Sequence, residues 1–255
     1  MVDAASVPDH TDLAALLLGR HRVVVLTGLH LGAREHRDPT GGASEWAVRA
    51  SLDALVTDPT SFWAYYTPLA HEMAERRPQP GHEALARLEQ AGVIDAIVTQ
   101  AVDRLHRAAG NEHVVEVHGH LLSVRCERCG ERYGLPELDE LLEASPDGVP
   151  RCTGPDCAFP LRPDGTLWNE PLPSEAIRRA WELAAAADCF LVVDCELRTV
   201  PISLLPSVPL TRQVPLVIIG EAPTQYDRYA ERVLRGPSEQ ILVDLADLLC
   251  PVREG

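Results

Sequence analysis

The chain has no run approaching the roughly 20 consecutive apolar residues that a helix needs to cross a bilayer. Even so, 45% of its 255 residues are hydrophobic, enough for a sizeable core. The opening residues, M-V-D-A-A-S-V-P-D-H, show no basic stretch followed by an apolar one. No export signal is read there, and cytoplasmic residence is the expectation. Positive charge is scarce: 23 basic against 38 acidic side chains leave a formal charge of −15. Such a charge repels phosphate backbones and anionic bilayers, so neither nucleic acid nor membrane is expected as a partner. Basic partners such as lysine-rich peptides stay compatible with it, and acidity also serves plain solubility. There is no internal repeat and no low-complexity tract, and nothing sets the oligomeric state. The length fits one large domain, or one domain carrying an inserted module.

Seven cysteines in a chain expected in the cytosol argue against a disulfide framework. Four of them stand as Cys126-x2-Cys129 and Cys152-x4-Cys157. The short gap lets both thiolates of the first pair face one ion from a tight knuckle, closed by Gly130. The T-G-P-D inside the second pair supplies turn chemistry to bend it back. Four thiolates fill a tetrahedral Zn²⁺ and leave no position for substrate, so the expected metal is structural. Cys189 and Cys250 lie in apolar surroundings and read as small buried hydrophobes.

Apolar runs alternate with helical stretches along the rest of the chain. Residues 21–27 follow a helical run at 12–18, and 93–99 follow H-E-A-L-A-R-L-E-Q-A-G, whose Gly92 stands where a helix C-terminal cap belongs. Residues 114–117, 189–193 and 216–219 are further short runs rich in valine and isoleucine. Strands of this kind are covered on both faces and pair in parallel. Helices are expected at 173–187 and 239–249. The pattern predicts an α/β fold with a Rossmann-like, doubly wound parallel sheet. Two segments break the alternation. Residues 41–80, with tryptophan, tyrosine and proline among helical pieces, read as a helical insertion. Residues 120–170, with the four cysteines and a short helix near 136–144, read as a smaller zinc-binding module. The Rossmann-like domain is then assembled from residues 1–40, 81–119 and 171–255.

Several motifs carry a resemblance. Residues 99–110, T-Q-A-V-D-R-L-H-R-A-A-G, look like T-Q-N-I-D-x-L-H-x-x-A-G. Val117-His118-Gly119 looks like a histidine-glycine pair that precedes a four-cysteine module, and here the four cysteines follow in order. Arg162-Pro163-Asp164 with Glu170 resembles R-P-x-V-V-x-F-G-E, and Gly236-Pro237 lies in a matching C-terminal region. These are motifs of the sirtuins, the NAD-dependent protein deacylases, and the resemblance covers roughly residues 20–250. It implies cleavage of NAD at its nicotinamide while an acyl-lysine oxygen attacks the ribose, with His118 as general base. It further implies Gly28, Gln100 and Asp103 as cofactor contacts, Asp103 on the nicotinamide amide, and zinc on Cys126, Cys129, Cys152 and Cys157. An acyl-lysine protein or peptide is the implied partner.

The chain departs from that pattern along the cofactor. Where the family reads G-A-G-I-S-x-x-S-G-I-P-D-F-R, this chain reads G-L-H-L-G-A-R-E-H-R-D-P-T-G from Gly28. Leu29 and His30 replace small residues that let backbone approach a pyrophosphate. Asp38 matches the family aspartate only with a deletion, and Thr40 and Gly41 stand in for phenylalanine and arginine. Ala101 replaces an asparagine. Asp194-Cys195-Glu196 replaces G-T-S, bringing two carboxylates toward a phosphate site. Gly220-Glu221-Ala222 replaces N-x-E. An acidic strand-end residue also binds ribose hydroxyls in Rossmann proteins, which makes Asp194 and Glu221 candidates for holding a nucleoside differently. Trp168 is a candidate either for an acyl channel or for packing between subdomains. The expected function is therefore NAD-dependent lysine deacylation with weakened NAD binding and turnover. Two alternatives stand beside it: a zinc-containing scaffold without catalysis, and an enzyme acting on another nucleotide or nucleoside through the loop carrying His30, Glu35 and His36.

Overall fold

The computed structural model describes residues 10–29, 31 and 45–250. In chain order its strands are β1 (Val23–Thr27), β2 (Ala96–Thr99), β3 (Val114–Glu116), β4 (Ser123–Cys126), β5 (Arg132–Gly134), β6 (Leu161–Pro163), β7 (Cys189–Val193), β8 (Leu216–Ile219) and β9 (Arg232–Leu234). The helices are α1 (Thr11–Leu17), α2 (Glu45–Arg49), α3 (Leu52–Thr57), α4 (Pro59–Glu75), α5 (Pro80–Gln90), α6 (Leu105–Ala108), α7 (Leu135–Glu143), α8 (Ser174–Ala186), α9 (Ser207–Leu210) and α10 (Ser238–Leu249). Among the described residues no helix is long and apolar enough to cross a membrane.

Six strands form one parallel sheet in the order β3-β2-β1-β7-β8-β9. The order runs outward from β1 in one direction and from β7 in the other. Such a reversal is the point where open α/β sheets bind ligands, beyond the carboxyl ends of the strands. Thr27 at the end of β1 lies level with Thr99 of β2 on one side and Val193 of β7 on the other.

Alternation along each strand explains the two covering layers. Val23, Val25, Leu191, Val193, Val217 and Ile219 face a core shared with α1, α5 and α10. Their neighbours Val24, Leu26, Phe190, Val192, Leu216 and Ile218 face the opposite core, built with α8. Successive side chains point to opposite faces of a strand, so a continuous apolar run serves both layers. The expected strands at 189–193 and 216–219 coincide with β7 and β8. The one expected at 21–27 starts later, because the His21 and Arg22 N–H groups donate to the Asp188 carboxylate at 2.8 and 3.0 Å. Likewise the Val93 N–H returns to the Leu88 carbonyl at 2.9 Å, closing α5, with Gly92 at φ +71. β9 is not foreseen from the sequence, since its Arg232 and Val233 are exposed on an edge strand and show no apolar run.

A second, antiparallel sheet runs in the order β5-β4-β6 and belongs to the cysteine module. Its core is shared with the helices before α5: Phe62, Trp63 and Tyr66 of α4 pack with Val124, Cys126, Leu135, Leu138 and Leu161. Tyr66 stacks on Phe62 at 5.7 Å and meets Trp63 edge-on at 5.4 Å, a geometry that aromatic pairs favour. Its buried hydroxyl donates to the Leu121 carbonyl at 2.7 Å, tying α4 to the chain just beyond His118–His120.

Candidate active site

Each implied site residue follows a strand directly or within a few residues. Gly28 follows β1, Gln100 to Asp103 follow β2, His118 follows β3, and Asp194 follows β7, so all share the carboxyl edge of four adjacent strands. Glycine at 28 has a reason inside the sheet: a Cβ there would lie 1.9 Å from the Asp194 carbonyl oxygen. His30, Glu35, His36, Asp38, Thr40 and Gly41 lie outside the described residues.

His118 sits half-buried, and burial pushes its pKa below the usual histidine value. A neutral imidazole at physiological pH follows, the form that accepts a proton. The backbone around it is fixed by the cysteine module. The Thr166 N–H donates to the His118 carbonyl at 2.7 Å. Gly119 adopts φ +66, and a Cβ on it would lie 2.6 Å from the Asp164 carbonyl oxygen. Asp164 in turn gathers Ser123, Arg125 and Arg132 around its buried carboxylate.

On the β2 side, the Asp103 carboxylate accepts the Leu105 N–H at 3.0 Å and so starts α6. Gln100 donates its side-chain N–H to the Cys195 sulfur at 2.9 Å, bridging the ends of β2 and β7 across β1. Cys195 is buried, which pushes its thiol up to about 11. Ala101 is also buried and offers no polar side-chain atom, while its N–H donates to Thr99 Oγ1 at 3.0 Å.

Beneath this edge lies a buried polar chain that sequence reasoning missed. Thr27 Oγ1 donates to Thr99 Oγ1 at 2.8 Å and lies 3.1 Å from His106 Nε2. Since the Thr27 proton is used on Thr99, the network assigns the His106 proton to Nε2. The ring of His82 lies 4.8 Å from that of His106, and its Nδ1 accepts the Gln79 N–H at the start of α5. Burial, with the neighbouring His82 adding to it, lowers His106 to about 3. The available sequence signal was weak: His82 stands where an apolar residue of α5 belongs, and a lone histidine there reads as core.

The carboxylates expected to face a phosphate are already engaged. Asp194 accepts a hydrogen bond from the hydroxyl of Ser238, the first residue of α10. Glu196 is exposed and pairs with Arg198 at 3.1 Å. Trp168 is 52% exposed. Its backbone pairs with the chain at 50–52 through bonds of 3.2 and 3.1 Å. Glu170 grips the buried Arg162 through two bonds of 2.6 Å, a fork that fixes the start of this segment.

The sulfurs of Cys126, Cys129, Cys152 and Cys157 lie within 4.8 Å of one another, with Cys126–Cys157 at 3.6 Å and Cys129–Cys152 at 3.4 Å. Zinc bonded to four thiolates at about 2.3 Å sets them roughly 3.8 Å apart, so the cluster fits a closed, structural zinc site. Gly154 leaves room beside it, since a Cβ there would lie 3.3 Å from the Cys152 sulfur. Gly130 takes φ +80 and returns its N–H to the Cys126 carbonyl at 2.9 Å, closing the knuckle as expected.

The geometry agrees with what the chain resembles. The model of the Sir2 family matches residues 31–201. The NAD-dependent protein deacetylase 1 of Pyrobaculum aerophilum is 35% identical over 250 residues, covering 94% of this chain and 95% of that protein. A solved structure of Sir2 bound to an acetylated peptide superposes with a TM-score of 0.82 at 27% identity, covering 94% of this chain and 98% of that one. A Sir2 complex with a peptide and NAD⁺ gives 0.80 at 28% identity, covering 94% and 96%. A family match over well more than half its length and a full-length relative of this identity mean that the chain belongs to the Sir2, or sirtuin, family.

Proposed function

We propose that this protein is an NAD-dependent protein lysine deacylase in which His118 is the general base. The observation that carries the reading is the convergence of Gly28, Gln100, Asp103 and His118 on one sheet edge in a chain so similar to a named deacetylase. When bound, NAD supplies the ribose carbon that receives the acyl oxygen as nicotinamide leaves. Asp103 holds the carboxamide end, and Gly28 marks where backbone approaches the phosphates. His118 takes the proton of a ribose hydroxyl, a task suited to an imidazole kept neutral by burial. The four cysteines hold zinc away from this chemistry and serve the fold. The chain contains no lysine, so the acyl-lysine substrate belongs to another molecule. Trp168, exposed beside the pairing segment, is available to line an acyl channel.

Turnover is slower than in a family member with asparagine at position 101. Loss of one buried hydrogen-bonding side chain costs about 1–3 kcal/mol, or roughly one to two decades in rate. Calorimetric titration of NAD followed by an acetyl-peptide assay tests the reading. Binding with slow NAD-dependent deacetylation of the peptide, abolished by His118→Ala with folding intact, is the expected result. Absence of NAD binding at several millimolar overturns it in favour of a scaffold.

A further inference from the structure

We infer that Glu127 is a positioning residue for the acyl-lysine peptide: through Arg162 and Glu170 it ties the cysteine knuckle to the turn that carries Trp168 and Asn169. This rests on the deacylase reading above, with the peptide pairing at that turn. The first argument is how Arg162 is held. It stands in the middle of β6, directly opposite Arg125 of β4 in the antiparallel pair. Like charges facing each other across paired strands are destabilising. Arg125 turns toward the Asp164 carboxylate at 3.3 Å. Arg162 is buried, and its guanidinium is shared between two other carboxylates. Glu170 takes the two-pronged contact, while Glu127 accepts from Nη1 at 3.1 Å. Glu127 also lies 3.7 Å from the Arg125 guanidinium, so one carboxylate offsets both cations. Without it Arg162 keeps a single counter-charge and faces a second guanidinium. A buried ion that loses a partner is costly where it stands, and shifting it shifts the fork on Glu170 as well.

The second argument is where the two carboxylates stand in the chain. Glu127 follows Cys126 inside the knuckle that Gly130 closes, so its backbone is set by the four-cysteine cluster. Glu170 closes the turn after β6. Its carboxylate accepts the Leu167 N–H at 3.0 Å, and its own N–H donates to the Leu167 carbonyl at 3.1 Å. Trp168 and Asn169 lie within that turn, with Asn169 at φ +65. The Trp168 backbone is taken up by residues 50–52, whereas the Asn169 N–H and carbonyl have no backbone partner among the described residues. An extended peptide can pair there as an added strand, with the exposed Trp168 ring beside it. The shape of the turn thus depends on Glu170, the placing of Glu170 on Arg162, and the setting of Arg162 on Glu127. Glu127 is itself exposed, so it fills no space in the core, and its contribution lies in where it holds Arg162.

The test is titration of a fluorescently labelled acetyl-lysine peptide into the full-length, zinc-loaded protein, read by anisotropy, with NAD titrated separately by calorimetry. Glu127→Ala should weaken peptide binding about five- to tenfold while NAD affinity stays within about twofold and zinc content is unchanged. Glu127→Gln keeps an acceptor for Arg162 and should bind peptide within about twofold of wild type. In a Trp168→Ala background the Glu127→Ala loss should shrink to about twofold or less, because both changes act on the same turn. If Glu127→Ala does not retain zinc, Glu127→Asp, which withdraws the carboxylate by one methylene, must weaken peptide binding at least about threefold. Unchanged peptide affinity in these variants, an equal fall in NAD affinity, or full additivity with Trp168→Ala overturns the inference and leaves the deacylase reading standing. No binding of the peptide by wild type overturns both.

Discussion

Replacing glycines with alanine one at a time separates backbone strain from steric exclusion at the site. Gly92, at φ +71, has nothing within 4 Å of its missing Cβ. Gly119, at φ +66, has the Asp164 carbonyl oxygen at 2.6 Å. The left-handed conformation costs a residue with a Cβ about 1–2 kcal/mol, and alanine recovers about 0.4–1 kcal/mol by restricting the unfolded chain. Gly92→Ala should therefore lose only about 1 kcal/mol or less. Gly119→Ala carries the same term plus an overlap with backbone, which no rotamer change relieves. Overpacking of this kind adds about 1–3 kcal/mol, giving roughly 1–4 kcal/mol in all. Because the obstructing atom belongs to the turn after β6, the strain falls on the contact that sets the His118 carbonyl against Thr166. Urea titration of the three proteins gives the two stability losses, and acetyl-peptide turnover gives the effect on the site. Gly119→Ala should be at least about 1 kcal/mol worse than Gly92→Ala and should lower turnover under conditions where both are folded. Equal losses in the two variants would refute the steric account of how the cysteine module fixes His118.

Zinc should be found at close to one equivalent per chain by elemental analysis, and Cys126→Ser should lower the melting temperature, because metal binding contributes directly to folding; an unchanged melting temperature removes the structural role. Stability should also fall with acid. His106 titrates near 6.5 when unfolded and only at about 3 in the fold. Between those values the unfolded chain binds the extra proton, so stability drops as pH falls below about 6.5, by about 1.4 kcal/mol per pH unit. The wild type should therefore lose about 2 kcal/mol more than His106→Gln between roughly pH 6.5 and 5 in denaturant titrations, and equal slopes would show that His106 is not the group responsible.

The sequence alone determined the layers and the metal. Continuous valine and isoleucine runs bury both faces of a strand whatever surrounds them, and the cysteine spacings meet the needs of a tetrahedral ion before any fold is known. The T-Q-A-V-D and V-H-G segments carried the family by local pattern. What the sequence did not decide was the fate of groups whose meaning depends on distant partners. In sequence Asp194 and Glu196 read as two charges aimed at a phosphate; in the fold Asp194 accepts from Ser238, more than forty residues away, and Glu196 pairs with Arg198. How far Trp168 is exposed is likewise set only by the packing of the segments around it. The pairing of His82 with His106 under Thr27 and Thr99 joins four separate segments. No local pattern announces such a group, because its hydrogen bonds exist only once β1, β2, α5 and α6 are packed together.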